Sequence, residues 1–126
     1  MSKEDATTFF AVQLHPQETP QSVARLIIRT AHDERLLFWV LEVLDVIEIG
    51  GASFLRLRTD MPPTALVERL LGRGRTVIAS KEGVYVLRRP DGQRGKIPML
   101  AMHRVPKPGQ QHAYRGTRHW EAQFAS

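Results

Sequence analysis

The sequence contains no cysteine. That excludes a disulfide framework, a zinc site built on thiolates and a cysteine nucleophile, and it fits a reducing compartment. Aromatic residues make up only 7%, so a core must rest mainly on Leu, Val, Ile and Ala. Long apolar runs are missing too. The longest, LLFWVL at 36–41, closes at Glu42, far short of the roughly 20 residues a membrane span needs. The opening MSKEDATT is charged and polar, unlike a secretory signal. The expectation is a cytoplasmic protein with no membrane segment. Enzyme signatures are equally sparse. LGRGRT lacks the Walker Gly-Lys-Ser/Thr arrangement, and neither G-x-G-x-x-G nor G-x-S-x-G occurs. His112 and His119 do not stand at a metal-ligand spacing, so neither a metal nor another cofactor is expected.

What is present is polarised charge. Residues 1–60 carry six Lys/Arg against nine Asp/Glu, whereas 61–126 carry twelve against four, within a net charge of +5. Such asymmetry focuses a positive field on part of the surface and points to a polyanionic partner.

At 126 residues the chain has the length of a single domain. It divides into a flexible N-terminus (1–8), one α+β domain (9–105) and an extended C-terminal arm (106–126) broken by Pro106, Pro108 and Gly109. TFFAVQLHP alternates as a strand, with Phe10, Val12 and Leu14 on one face. Residues 19–33 show a helical stripe of Val23, Leu26 and Ile27 behind a Thr19 cap and Pro20. Residues 35–49 fit a strand by composition, and Gly50-Gly51 joins them to SFLRLR as a hairpin. Residues 60–74 form a second helix on Leu66, Val67, Leu70 and Leu71. RTVIAS and GVYVLRRP are further strands, PDG is a turn, and 95–105 returns as a last strand.

The order is β-α-β-β-α-β plus a C-terminal β-hairpin. This is the ferredoxin-like split βαβ pattern: an antiparallel sheet with two helices on one face and the other face open. If 35–47 is helical instead, the chain becomes winged-helix-like.

On the open face, FFAVQL (9–14) resembles the first-strand motif of RNA-recognition motifs, with Phe10 at its aromatic position. GGASFLRL (50–57) resembles the third-strand octamer in part: Gly51, Phe54 and Leu55 fit, while Gly50, Ala52 and Leu57 replace a basic residue and two aromatics. The resemblance implies base stacking on Phe10 and Phe54. The alternation independently places Phe54, Arg56 and Arg58 on one face, an aromatic flanked by two guanidiniums.

The densest basic cluster lies further on. Arg73 and Arg75 follow a helix C-terminus, and Arg88, Arg89, Arg94 and Lys96 bracket the PDG turn, a set suited to phosphates rather than base edges. In the arm, Tyr114, Arg115, Arg118 and Trp120 form a basic-aromatic set that would grip RNA or a protein surface. These residues predict a small non-enzymatic nucleic-acid-binding protein, for RNA or single-stranded DNA, acting within a larger complex. The alternatives are an adaptor or assembly subunit, docking a protein partner or a second copy through its sheet edge and arm, and a metal-independent ribonuclease using a tail histidine.

Overall fold

The computed structural model describes residues 8–33, 39–60, 63–109 and 111–116. Its elements run β1 (Thr8–Leu14), α1 (Pro20–Asp33), β2 (Trp39–Ile49), β3 (Ala52–Thr59), α2 (Pro63–Gly72), β4 (Val77–Lys81), β5 (Val84–Arg88), β6 (Arg94–Ile97), α3 (Met99–His103) and β7 (His112–Gly116). The seven strands form one open sheet in the order β6-β5-β4-β1-β3-β2-β7, with every pairing antiparallel. The fold is α+β. Among the described residues, no helix is long and apolar enough to cross a membrane.

Local chemistry explains the boundaries. Thr19 and Ser22 cap α1 reciprocally: the Ser22 amide donates to Thr19 Oγ1 and the Thr19 amide to Ser22 Oγ, each at 3.1 Å. At the far end of α2, Gly74 adopts φ 82°. The Arg75 amide reaches the Leu70 carbonyl and the Gly74 amide that of Leu71, a Schellman closure that needs a left-handed residue at Gly74. Gly50 and Gly51 both have positive φ and make the two-residue turn between β2 and β3.

Helices α1 and α2 cover one sheet face. Val23, Ile27 and Ile28 of α1 and Leu66 and Leu70 of α2 pack there on Phe10, Val12, Leu41, Leu55 and Leu57. On the other face a smaller cluster gathers Ala11, Ile47, Phe54, Ile78 and Tyr85 under Met102 of α3. That face is therefore not open, contrary to the sequence expectation.

Two further expectations change. A strand over 95–105 ends at Ile97, because Pro98 has no N–H to extend the ladder and instead precedes the helical turn of α3. The winged-helix-like alternative is overturned. Trp39–Ile49 is a strand hydrogen-bonded on both sides, to β3 and to β7; residues 35–38 lie outside those described. Part of the arm is also strand: β7 runs along β2, with Tyr114 opposite Leu41 and packed against the helix-side core.

Strand β2 contains a bulge between Val43 and Asp45. Before it, Trp39, Leu41 and Val43 face the helices; after it, Ile47 faces α3. The extra residue shifts the alternation by one and puts Asp45 on the same face as Glu42, opposite Arg56 and Arg58 respectively. A regular strand would have set Glu42 and Asp45 on opposite faces as surface charges; the bulge instead buries Asp45.

Candidate nucleic-acid interface

The face expected to stack bases is a packed, ion-paired layer. Phe54 is 2% exposed, beneath α3, and Phe10 lies in the helix-side core. The two rings occupy opposite faces of the sheet, and neither offers a stacking surface. Arg56 is 1% exposed and makes a bidentate pair with Asp45 at 2.8 and 3.0 Å, while its third contact donates to the Met102 carbonyl at 2.8 Å. Arg104 adds a second cation 3.6 Å from Asp45 and donates to the Val46 carbonyl. Together these contacts fasten α3 to the sheet.

Next to this layer, Arg58 pairs with Glu42 and lies 5.9 Å from the Phe9 ring centroid. Phe9 in turn packs against His103, whose Nε2 is 2.8 Å from the Tyr85 hydroxyl. Burial pushes the Tyr85 phenol above its ordinary pKa, which keeps it neutral as a hydrogen-bonding group.

The cations after α2 are also engaged. Arg75 binds both oxygens of Glu18, one at 2.6 Å, and donates to the Gln13 carbonyl at 3.1 Å. The Arg75 hydrogen bonds lower the Glu18 carboxyl to about 2. Arg73 reaches Asp33 at 3.4 Å. Arg56, Arg58, Arg73 and Arg75 thus have carboxylate partners; Arg56 is buried with its own and Arg75 mostly buried, whereas Arg58 and Arg73 keep partly exposed side chains.

The β5–β6 hairpin differs. Arg88 stands opposite Arg94, and Val86 opposite Lys96. Arg88 pairs with Glu68 of α2 at 3.0 Å, so this side of the hairpin faces α2. Arg89, Arg94 and Lys96 are exposed and have no carboxylate partner among the described residues. Asp91 is occupied within the turn, where its Oδ1 accepts from the Gln93 amide at 2.9 Å while the Arg89 amide donates to the Gln93 carbonyl. This closes the turn and holds Arg89 beside Arg94.

On the opposite side of the hairpin, Leu87, Gly95 and Ile97 face a cleft of about 620 Å³. Its far wall is the β2–β3 turn with Ile49 and Ala52, and Arg89 and Arg94 stand at its edge. Sequence reasoning found the cations but not this cleft, nor the counter-ions Glu18, Glu42, Asp45 and Glu68. The one available signal was Gly95 within a strand, a residue type that marks close approach of another group.

Of the arm residues, Tyr114 packs on the body of the domain and Arg115 lies on β7 opposite Val40. Arg118 and Trp120 lie outside the described residues, as does His119. Comparisons of the chain with models of protein families, with curated proteins and with solved structures find no match.

Proposed function

We propose that the protein binds nucleic acid, RNA or single-stranded DNA, through phosphate contacts at the β5–β6 hairpin, without catalysing a reaction. The observation that carries this reading is the contrast among its cations: five of the arginines singled out in the sequence have carboxylate partners, Arg56 being buried with its own, whereas Arg89, Arg94 and Lys96 stand exposed without a counter-ion among the described residues. Exposed cations on a rigid turn release counter-ions when they meet a phosphate backbone. The order β4-β1-β3-β2, with α1 and α2 on one face, supports a ferredoxin-like assignment for the inner four strands. The lack of cysteine fits a cytoplasmic setting.

The test is fluorescence anisotropy of a labelled single-stranded oligonucleotide over a salt series. Three phosphate contacts give a slope of log K against log salt of about −2 for a single strand. Replacing Arg89, Arg94 and Lys96 together with Ser should bring that slope close to zero. Unchanged affinity and slope in the triple variant would overturn the assignment.

A second reading, a subunit that docks a protein partner, is favoured by Met99, Leu100 and Val105. These apolar side chains are exposed on α3 and just after it, Leu100 to 80% and Val105 to 88%. It predicts a co-purifying partner or a defined oligomer that Leu100→Asp disperses, as read by light scattering.

A further inference from the structure

The cleft behind the hairpin is more than the edge of a basic patch. It has a half-buried apolar lining in Ile49, Ala52, Leu87 and Ile97, and the almost fully buried Phe54 also borders it. At about 620 Å³ it lies in the size range of small-ligand sites, which are mostly apolar with a few placed polar groups.

Those polar groups are present. Gln13 lines the cleft, and its Oε1 faces the Thr76 amide at 3.4 Å; the two donors of its carboxamide nitrogen have no partner among the described residues. Gln93, on the turn, also lines it.

Gly95 adds an independent observation. Its φ lies outside the left-handed region, and a Cβ built on it meets nothing within 4 Å. Neither backbone conformation nor packing within the chain requires glycine there. What its missing side chain does is leave the wall of the cleft open beside Leu87, its cross-strand partner.

We infer that this cleft receives an unstacked nucleobase from a single strand whose phosphates lie on Arg89 and Arg94. The inference rests on the phosphate-binding reading above and adds the element that reading lacks, a means of telling a single strand from a duplex. A paired and stacked base cannot enter a recess bounded by two turns; a splayed base can, burying its face on the apolar lining with its polar edge toward Gln13. The charges fit the same placement: Arg89 and Arg94 border the cavity with no carboxylate partner among the described residues, and Asp91, the one carboxylate of the lining, is engaged by the Gln93 amide.

The experiment compares four ligands of equal length by anisotropy: single-stranded RNA, single-stranded DNA, the same DNA backbone with abasic sites, and duplex DNA. The wild-type protein is set against Gly95→Leu, which fills the wall without backbone strain, and thermal unfolding confirms that this variant folds. The wild type should bind the abasic strand and the duplex at least about tenfold more weakly than a strand with bases. Gly95→Leu should bind base-bearing and abasic strands alike, at the wild type's abasic level, with an unchanged salt slope. Equal wild-type affinity for abasic and base-bearing strands would overturn the base site while leaving phosphate binding intact. Full base dependence in Gly95→Leu would also overturn it. Binding of none of the four ligands would overturn both proposals.

Discussion

Removing the charge of Asp45 should destabilise the protein more than removing the side chain of Arg56, although the two are partners in one buried ion pair. Both are about 1% exposed. In Asp45→Asn, the guanidinium of Arg56 stays buried with no second carboxylate in contact, and Arg104 stands 3.6 Å from the altered side chain as a like charge. Breaking a buried pair by removing one partner costs about 3–5 kcal/mol, because the remaining charge is desolvated and uncompensated. In Arg56→Met, the stranded group is Asp45, and Arg104 is already beside it and partly exposed, free to close on the carboxylate. That compensation brings the expected cost down to about 2–3 kcal/mol, including the lost donor to the Met102 carbonyl. The assay is urea unfolding followed by far-ultraviolet circular dichroism, with midpoints and slopes compared at one pH. The double variant should recover a coupling energy of about 1–3 kcal/mol relative to the sum of the singles. If Arg56→Met proves equally or more destabilising, Arg104 does not substitute, and the account of how α3 is held to the sheet is wrong.

Glu82 sits in the β4–β5 turn with φ 54°, the only non-glycine residue at positive φ among those described. Glu82→Asn should stabilise by about 0.5–1 kcal/mol and raise the melting temperature by a few degrees; a lower melting temperature would count against it. Glu18, lowered from 4.5 to about 2 by Arg75, binds fewer protons folded than unfolded. Its contribution is complete above pH 4.5 and lost as pH falls through about 2. Because the pair is partly exposed, Glu18→Gln should cost about 1 kcal/mol at pH 7 and nothing near pH 2, which urea midpoints at the two pH values would check. Glu68→Gln frees Arg88 beside Arg94 and should tighten oligonucleotide binding several-fold at low salt; unchanged or weaker binding would separate Arg88 from the interface.

The helices and the inner strands were legible because their signals are local. Thr19-Pro20 starts α1, Gly74 ends α2, and apolar residues at helical spacing identify the faces that meet the sheet. The Gly50-Gly51 turn even sets the register: counting outward from it pairs Asp45 with Arg56. What could not be counted was the bulge at residue 44. A local alternation rule carries every residue beyond an inserted one to the wrong face; applied to β2 it separates Glu42 from Asp45 and hides the Glu42–Arg58 pair. The short α3 was missed for a different reason. Five residues hold too little periodicity to identify a helix, and this one is held by tertiary contacts: a buried Met102, a carbonyl bonded to Arg56, and His103 against Phe9 and Tyr85.

That small helix redirects the functional reading. Aromatic and basic residues alternating on a strand describe an RNA-binding sheet only if nothing lies over them, and sequence patterning records the alternation but not the cover. Once α3 is in place, the same pattern becomes the floor of a second core: Phe54 packs, Arg56 binds the covering element, and Arg58 is neutralised at the margin. Within the basic cluster around the β5–β6 hairpin, the charge that remains without a carboxylate partner among the described residues is that of Arg89, Arg94 and Lys96. The hairpin's turn is short and internally hydrogen-bonded, with Asp91 taken by the Gln93 amide and the nearby Glu68 taken by Arg88, so Arg89 and Arg94 are left without a carboxylate partner among the described residues. The sequence cluster from Arg73 to Lys96 is thus two chemically different sets. One holds α2 and its neighbours together, and the other has no intramolecular task that its contacts reveal. Three exposed cations repel one another and add nothing to the stability of a hairpin, and that cost is the physical argument behind the proposed polyanionic ligand.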